Sequence, residues 1–315
     1  MTKNKLKKYI LILLILFLSM MFMVQRINNY VMKKELAEQN LSIIWAQREA
    51  LNPDDEWTKT TLLYRWEFGK EEELLEDRYI FRDFICNGDG TRLLSLLRYS
   101  EVVEYNIETK ELDYIVDTDQ LDAFLREKGY RKEYYEDAWL SCPRYYDNEN
   151  RISVMYGDFI IGYSRQEGLE LIYVLGNADD TYSWAVGDRV LLIKQYGGRI
   201  GFCDLETRKR QDLIYKVGPF SQVAENNTFV VKSQKEAILW LYDMDRKKFK
   251  KVLKGGIGYP EYKITSDGRY LLWRDNIPVM MQEMNFLYIV DLQSGRKIRL
   301  KKWGFDIPVS GMTWS

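Results

Sequence analysis

The sequence of 315 residues contains no histidine. Without imidazole groups the chain cannot use histidine-based acid–base catalysis, activate a serine or cysteine nucleophile through histidine, or bind zinc through one. The enzyme chemistry that remains is that of paired carboxylates, as in glycoside hydrolysis. The chain has 47 acidic residues, so the existence of such pairs carries no weight by itself.

Cysteine is scarce, with three residues far apart: Cys86, Cys142 and Cys203. No C-x-x-C spacing is present, which excludes a zinc ribbon and a thioredoxin-type motif. We expect the cysteines to be small buried apolar residues. One disulfide with a leftover thiol remains the alternative.

The sequence has no excess of charge of either sign, since 46 basic residues balance 47 acidic ones. Nucleic-acid-binding proteins carry a basic stripe or a high isoelectric point, so we predict no nucleic-acid partner. The acidic group Asp117, Asp119 and Asp122 lacks the glycine and distal glutamate of an EF-hand loop, and solvated turns explain it better. We therefore predict no metal site and no cofactor.

Long hydrophobic runs are also rare, and only one could cross a membrane. It covers residues 9–24, YILILLILFLSMMFMV, and Ser19 is its single polar interruption. We expect residues 9–26 to form a transmembrane helix whose flanking Lys8 and Arg26 reach the headgroups. No small-residue cleavage site ends the run, so an uncleaved signal anchor is favoured over a cleaved signal peptide.

The flanking charges predict the orientation of this segment. Residues 1–8 contain four lysines, more than the basic residues that follow the run closely. The positive-inside rule therefore puts the N-terminus in the cytoplasm and everything after the single span outside it, at the cell membrane. We interpret residues 27–57 as a stalk or linker and residues 58–315 as the globular domain.

The globular region repeats a local pattern in which an apolar strand is followed by a polar turn and a second strand. The turns begin at Gly69, Glu108, Gln166, Glu206, Asp245 and Gln293, in steps of 39, 58, 40, 39 and 48 residues. A period near 40 with short strands is typical of a β-propeller blade. Asp204, Asp243, Asp291 and Asn106 recur two residues before a turn, and we expect them to form hydrogen bonds with it.

The clearest unit is Tyr262–Leu300, which contains YKITSDGRYLLW and NFLYIVDLQSGRKIRL. Here the sequence resembles the TolB-type and WD40-like propeller repeats, whose units place Asp-Gly between two apolar strands and a glycine shortly after a strand-ending aspartate. Ser266-Asp267-Gly268 lacks the proline of that pattern. The resemblance implies a propeller fold over about 250 residues, and it implies no catalytic residue.

We predict an all-β fold, a six-bladed β-propeller preceded by one N-terminal transmembrane helix. Five or seven blades, an open β-sandwich or a pair of β domains are the alternatives. The last strand, Val309–Trp314, has no later partner in its own unit, so we expect it to pair beside the N-terminal strands and close the ring.

Two of the spacings between turns, 58 and 48 residues, are longer than the period of about 40. The extra residues indicate insertions, at residues 117–140 and 274–284. In a four-stranded blade the first follows the outermost strand and the second joins the second and third strands, so both emerge on one face of the propeller. Loops on such a face carry binding functions. The candidate binding residues are the aromatic and methionine side chains of the insertions: Tyr130, Tyr134, Tyr135, Trp139, Met280, Met281 and Met284.

These considerations predict a membrane-anchored, extracytoplasmic binding or interaction module whose partner is a protein, a peptide or a glycan. The candidate residues could instead pack the insertions onto the blades. A carboxylate-dependent hydrolase built on the propeller and a scaffold subunit of an envelope complex are the other functional alternatives.

Overall fold

The structure is a computed structural model of the 315-residue chain. It describes residues 3–50, 59–68, 70–131, 138–175, 181–185, 188–195, 198–214, 217–233, 238–254, 261–279, 282–305 and 309–314. The chain divides into two compact units, Met1–Leu41 with Glu67–Glu71 and Ser42–Trp66 with Glu72–Ser315.

The first unit is dominated by a single helix, α1, over Lys3–Glu38. Its apolar side chains from Tyr9 to Val24 are exposed, and the hydroxyl of Ser19 donates to the Ile15 carbonyl at 2.8 Å. A helix satisfies its own backbone hydrogen bonds, which a lipid environment requires. In the described part of the chain, α1 is the one helix long and apolar enough to cross a membrane.

The end of α1 is formed by a Schellman motif. Asn40 has φ of 53°, its N–H donates to the Ala37 carbonyl at 3.1 Å, and the Leu41 N–H donates to the Leu36 carbonyl at 3.3 Å. Asparagine tolerates this left-handed conformation, so the helix stops here and an extended segment follows.

The segment 27–57, interpreted from the sequence as a stalk or linker, differs in the structure. Its first part continues α1 to Glu38, and residues 42–50 form the first strand of the second unit. Ile43, Ile44 and Trp45 are fully buried there. The sequence reading missed this strand because its pairing partner lies at the other end of the chain.

The second unit is built from antiparallel β-sheets, and the described strands form six sheets of four. We number these sheets as blades in chain order. The strand bounds are β1 Ser42–Ala50, β2 Lys59–Glu67, β3 Glu72–Glu76 and β24 Val309–Trp314 in blade 1; β4 Phe81–Cys86, β5 Arg92–Leu97, β6 Glu101–Asn106 and β7 Leu112–Asp117 in blade 2; and β8 Leu140–Tyr146, β9 Arg151–Tyr156, β10 Phe159–Ser164 and β11 Gly168–Val174 in blade 3.

The remaining blades follow the same order. Their bounds are β12 Thr181–Ala185, β13 Val190–Gln195, β14 Arg199–Asp204 and β15 Arg210–Ile214 in blade 4; β16 Val217–Phe220, β17 Thr228–Ser233, β18 Ile238–Asp243 and β19 Lys248–Lys254 in blade 5; and β20 Glu261–Ile264, β21 Tyr270–Val279, β22 Gln282–Asp291 and β23 Lys297–Phe305 in blade 6. A short helix, α2, covers Thr118–Glu127 between blades 2 and 3.

The innermost strands of the blades, which are β24 in blade 1 and the first strand in each of the others, form a ring around a central axis. Strand β24 contacts β4 and β20, β4 contacts β8, β8 contacts β12, and β16 contacts β20. The second unit is therefore a six-bladed β-propeller, as predicted. We define its upper face as the end where these first strands begin, so the connections between second and third strands and between successive blades also lie at the upper face.

The ring is closed as the sequence predicted, because β24 pairs with β1. Ile43 lies opposite Trp314 and Ala46 opposite Gly311 in this antiparallel pair. The last strand of the chain thus supplies the innermost strand of blade 1 and covers the edge of β1 that would otherwise face the axis.

Polar side chains also connect the innermost strands from blade to blade. The Cys86 N–H donates to Thr313 Oγ1 at 3.3 Å, and the Val223 N–H donates to Ser183 Oγ at 3.1 Å. The Trp314 indole N–H donates to the Lys263 carbonyl at 3.0 Å. Because backbone groups at the axis have no further strand beside them, these side-chain contacts satisfy them.

The repeating polar residues before the turns act as predicted. Asp204 Oδ1 accepts from the N–H of Thr207 at 2.7 Å, Asp243 Oδ1 accepts from that of Arg246 at 2.9 Å, and Asn106 Oδ1 accepts from that of Thr109 at 2.9 Å. Asp291 accepts from the N–H groups of residues 293 and 294. The repeated signal in the sequence is therefore a turn-forming one.

Candidate binding site at the mouth of the central channel

The first insertion, 117–140, begins with α2. Asp117 caps the helix through a capping box with Gln120, and the buried Leu121 and Leu125 hold its inner face. The Tyr156 hydroxyl donates to Asp122 Oδ1 at 2.5 Å and ties the helix to blade 3. Two of the three aspartates of the acidic group are thus engaged in structure.

Of the candidate aromatic residues in this insertion, Tyr130 packs and Trp139 does not. The Tyr130 ring meets the Phe159 ring edge-on at 4.8 Å between centroids, which agrees with the packing alternative. Trp139 is 62% exposed immediately before β8. Tyr134 and Tyr135 lie outside the described residues.

The second insertion, 274–284, was predicted as a loop, and the structure instead shows mostly strand. β21 and β22 form a long hairpin in which Asp275 pairs with Phe286 and Ile277 with Met284. β23 extends alongside it, because Met284 also lies opposite Phe305. Met280 and Met281 lie outside the described residues, so only Met284 of the methionine group has a described place, in the ladder of blade 6.

By their place in the topology, both insertions belong to the upper face, where the central channel also opens. A cavity of about 380 Å³ occupies this mouth. Its walls come from the innermost strands of blades 2 to 6 and from the upper hairpins. The charged residues among its lining are Asp83, Arg144, Lys194, Glu261 and Lys263.

Irregular backbone shapes one wall of the mouth. Asp83 and Cys142 have φ of 38° and 53°, and the strand register shifts between Arg82 and Ile85 and between Ser141 and Arg144. The Cys142 N–H donates to Asp83 Oδ2 at 2.6 Å. These bulges in β4 and β8 hold non-glycine residues in a strained conformation, and such strain is often found at functional sites.

The carboxylates of the mouth are already engaged in contacts with other groups of its walls. Glu261 Oε2 is 2.9 Å from Arg274 Nη2, and its Oε1 is 4.0 Å from Lys263 Nζ. Asp83 accepts the Cys142 amide. Both carboxylates therefore have positioning contacts with neighbouring strands.

Burial sets the ionisation of two further groups. It raises the pKa of the Cys142 thiol, and the nearby Asp83 charge adds to the effect. It lowers the pKa of Lys263, and the positive charge of Arg144 lowers it further, while Glu261 and Asp83 oppose the shift. The thiol is thus a poor nucleophile at neutral pH.

An aromatic rim stands beside the mouth. Tyr99, 43% exposed, lines the cavity from the upper hairpin of blade 2. Its ring lies 4.9 Å from the Arg82 guanidinium, and its carbonyl accepts the N–H of Leu140 at 3.3 Å. Because Leu140 follows Trp139 directly, the backbone of Trp139 lies close to Tyr99, and we refer to these two exposed residues as the rim.

No local motif in the sequence predicts this mouth. Its charges come from single positions on different strands, which only the ring brings together. Pro143 is the one signal that could have been used, because proline inside a strand pattern indicates an edge or a bulge.

Comparisons with known proteins support the fold. No protein-family model and no curated protein matches the chain. The crystal structure of TolB from Acinetobacter baumannii is similar with a TM-score of 0.65 and 8% identity, over 87% of this chain and 66% of that chain. A structure of a nidogen/laminin complex is similar with a TM-score of 0.59 and 10% identity, over 87% of this chain and 98% of that chain. Identities this low show the fold alone: the chain contains a six-bladed β-propeller similar to that of TolB.

Proposed function

We propose that this protein is a membrane-anchored interaction module that binds its partner at the upper face of the propeller. The observation that carries the proposal is the rim of Tyr99 and Trp139 beside the channel mouth. Exposed aromatic side chains next to a concave site are typical anchors of protein interfaces. Among the described residues of the mouth no observation favours hydrolysis, because Asp83 and Glu261 are engaged in contacts with neighbouring strands.

The proposed contact residues differ in part from those predicted from the sequence. Trp139 keeps its proposed role as a contact residue, and Tyr99 joins it. Tyr134, Tyr135, Met280 and Met281 remain proposed contacts on the strength of their sequence position alone. The partner class stays the same as predicted, a protein, a peptide or a glycan.

A photo-crosslinking experiment tests the proposed face. A benzophenone amino acid at position 139 is expected to give a discrete adduct in membranes, whereas the same group at Tyr114, an equally exposed aromatic residue on the outer strand β7, is expected to give none. After the adduct is identified, Trp139→Ala should weaken binding of the purified partner at least about tenfold. Tyr114→Ala is the matched control.

The melting temperature of both variants is measured in parallel. Little change is expected for either, since both side chains are exposed. Equal adducts at both positions, or full binding by Trp139→Ala, would refute the proposed face. A large fall in the melting temperature of Trp139→Ala would favour the packing alternative.

We also propose that α1 spans the membrane with its N-terminus in the cytoplasm. Cysteines introduced by Asn4→Cys and Glu108→Cys report on the two sides, and residue 108 is exposed in a turn. A membrane-impermeant maleimide added to intact cells should label Glu108→Cys, and should label Asn4→Cys only after permeabilisation. The wild-type chain is the control, because Cys86 and Cys203 are buried and Cys142 is partly buried. The reverse labelling pattern would contradict the proposed orientation.

A further inference from the structure

The outer strand of blade 5 concentrates positive charge in a chain whose net charge is −1. Residues 245–254, DRKKFKKVLK, contain six basic residues and one acidic residue, and they form β19 and the turn before it. All six basic residues are exposed: Arg246, Lys247, Lys248, Lys250, Lys251 and Lys254. Arg246 Nε is 3.6 Å from the carboxylate of Asp243. None of the five lysines has a carboxylate within 4.0 Å among the described residues.

Charged residues on other outer strands are paired, in contrast to these lysines. Glu73 of β3 is 2.7 Å from Arg65, and Glu170 of β11 is 2.8 Å from Arg151. Lysines on an outer strand also protect a sheet edge from unwanted pairing, so exposure alone does not make them a binding surface. A row of ammonium groups without ion pairs nevertheless attracts an anionic partner.

Two of the lysines line a groove between blades 5 and 6, with a volume of about 640 Å³. Lys250 Nζ donates to the Leu292 and Gln293 carbonyls of blade 6, both at 3.3 Å. These contacts hold the ammonium at the boundary of the blades and leave one of its three N–H groups for a ligand. The Lys248 side chain forms no hydrogen bond or ion pair with any described residue.

The carboxylates of the groove are Asp243 and Asp267, and both have other partners. Asp243 accepts from the backbone N–H of Arg246 at 2.9 Å and lies beside its guanidinium. Asp267 Oδ1 accepts from the backbone N–H of Arg269, also at 2.9 Å. Neither carboxylate forms an ion pair with the two lysines of the groove, whose ammonium groups can therefore bind an external anion.

The groove opens at the lower face, the end of the propeller opposite to the upper face. Its lining includes Asn226, Arg246, Asp267 and Gln293, which belong to connections between first and second strands or between third and fourth strands. β1 also begins at the lower face, because its first residues pair with the last residues of β24. The connection from α1 therefore joins the propeller at the face that carries the groove.

We propose that this groove binds the phosphate headgroup of an anionic phospholipid in the membrane that α1 spans, with Lys248 and Lys250 as its cationic contacts. This rests on the proposed function, in which α1 is the anchor, and adds a second attachment at the membrane surface. A phospholipid combines an anionic phosphate with apolar surface. Leu241, Phe249 and Leu292 line the groove together with the lysines, and Phe249 is 40% exposed.

The other lysines favour a bilayer surface over a single soluble anion. Lys247, Lys251 and Lys254 continue the positive charge along β19, whose seven residues cover about 20 Å. A bilayer presents many headgroups over such a length, and each lysine close to an anionic membrane strengthens attachment about fivefold. An anchor in the same membrane raises the local concentration of headgroups, so weak individual contacts are sufficient.

Fluorescence quenching in nanodiscs tests the proposal on the full-length protein. A nitrobenzoxadiazole dye is attached at Gln293→Cys, in the groove, or at Glu108→Cys, the corresponding turn residue of blade 2. The nanodiscs contain phosphatidylcholine with or without phosphatidylglycerol, and a fixed share of the lipid carries a spin label on its headgroup. The labelled wild-type chain gives the background, because Cys142 is only partly buried.

Phosphatidylglycerol should cause quenching at position 293 and little at position 108. The quenching at position 293 should return to the phosphatidylcholine level in about 1 M salt, where the Debye length is about 3 Å. Equal quenching at position 293 in the two kinds of nanodisc would overturn the proposal.

Variants assign the attachment to the groove. Lys248→Gln combined with Lys250→Gln should lower the ratio of docked to undocked protein about 25-fold, since two lysine contacts are lost. Fluorescence lifetimes measure this ratio as the quenched fraction. Lys110→Gln combined with Lys209→Gln is the matched control, because it removes two exposed lysines from the equivalent turns of blades 2 and 4. An equal fall in both double variants would refute the groove.

The melting temperature and the monodispersity of the variants separate binding from protection of the sheet edge. Both properties should match those of the wild type, since glutamine at position 250 keeps a donor for the two carbonyls. Aggregation with unchanged quenching would show that the lysines protect the edge, and would overturn the proposal. Lys248→Gln alone, which breaks no side-chain contact, should lower the docked ratio about fivefold and keeps the test decisive if the double variant is unstable.

A soluble polyanion is the competing partner. Polyphosphate is titrated into the detergent-solubilised wild type and into the Lys248→Gln, Lys250→Gln variant. Binding that depends on these two lysines, together with no quenching by phosphatidylglycerol, would assign the groove to a soluble polyanion and overturn the lipid.

Failure of the groove and failure of the anchor give different results. A chain that does not co-elute with nanodiscs would refute both the anchor and the attachment that rests on it. A chain that co-elutes but shows no quenching by phosphatidylglycerol at position 293 would keep the anchor and refute the groove. The crosslinking result at position 139 bears on the upper face alone.

Discussion

Replacing Trp314 with alanine is expected to lower the free energy of unfolding by about 3–5 kcal/mol, as for other large buried side chains. Trp314 ends β24, is 8% exposed and lies opposite Ile43 of β1. Its indole N–H donates to the Lys263 carbonyl at 3.0 Å. One side chain therefore joins blade 1 to blade 6 at the point where the ring closes.

The loss has two parts, the apolar contact of the indole and the hydrogen bond to blade 6. Trp314→Phe keeps most of the apolar contact and removes the hydrogen bond. We therefore expect it to lower the free energy of unfolding by a smaller amount, about 1 kcal/mol or somewhat more. In a domain of this size, each kcal/mol corresponds to about 2–4 °C in melting temperature. Thermal unfolding of the full-length variants in detergent measures both effects.

The matched control is Trp139→Ala, the same substitution at a side chain that is 62% exposed. It should change the melting temperature little. Deletion of residues 309–315 should have a larger effect than Trp314→Ala, because it removes the whole innermost strand of blade 1. Equal melting temperatures for Trp314→Ala and Trp139→Ala would contradict the closure described for the ring.

The features that the sequence predicted correctly are those encoded by neighbouring residues. Asp204, Asp243 and Asn106 form hydrogen bonds to N–H groups three residues ahead, so the turn signal can be read within a few positions of the chain. The repetition of that signal every 40 residues or so is what predicts blades. Cys86 and Cys203 are buried in the structure, as expected for small apolar residues, whereas Cys142 is only partly buried.

The features that the sequence missed depend on distant residues. Strand β1 exists because β24 pairs with it, and a window around residues 42–50 contains no trace of that partner. The segment 274–284 combines Arg, Asp, Asn and Pro residues that favour a loop. In the structure, however, β22 and the extended β23 provide the pairing that keeps it in a strand.

The channel mouth is the extreme case of this dependence. Arg144 and Lys263 lie on strands of different blades, and each is an ordinary polar residue in its own segment. Only the ring brings these two cations together in one cavity. The insertions in the sequence could predict a binding face, but the sequence could not predict which charged residues line the cavity at that face.

Replacing Glu76 with glutamine is the second substitution for which we expect a large loss, about 3 kcal/mol at neutral pH. Glu76 ends β3 and is 4% exposed. Its Oε1 accepts from Arg78 Nε at 2.8 Å and its Oε2 from Arg78 Nη2 at 2.6 Å, and the N–H groups of Asp77 and Arg78 also donate to it. The Tyr105 hydroxyl of blade 2 is 3.3 Å from Oε2, so this carboxylate holds the connection between the first two blades.

These contacts favour the ionised carboxylate, which gives the effect a defined pH dependence. The Arg78 side chain and then the backbone N–H groups lower the pKa of Glu76 from 4.5 to about 2, against the opposing effect of burial. In the unfolded chain the group titrates near its ordinary value, so between pH 4.5 and 2 the unfolded state binds more protons than the folded state. The stabilisation is therefore complete above pH 4.5 and is lost as the pH falls towards 2.

Glu76→Gln removes this titration, and the variant and the wild type should converge in stability as the pH falls through that interval. Denaturant unfolding at several pH values measures the difference between them. Glu73→Gln on the same strand is the control: its partner Arg65 is 2.7 Å away, but the Glu73 side chain is 52% exposed, so its loss should cost less than about 1 kcal/mol. A constant difference between Glu76→Gln and the wild type across the interval would mean that shape, and not the charge of the carboxylate, stabilises the junction of blades 1 and 2.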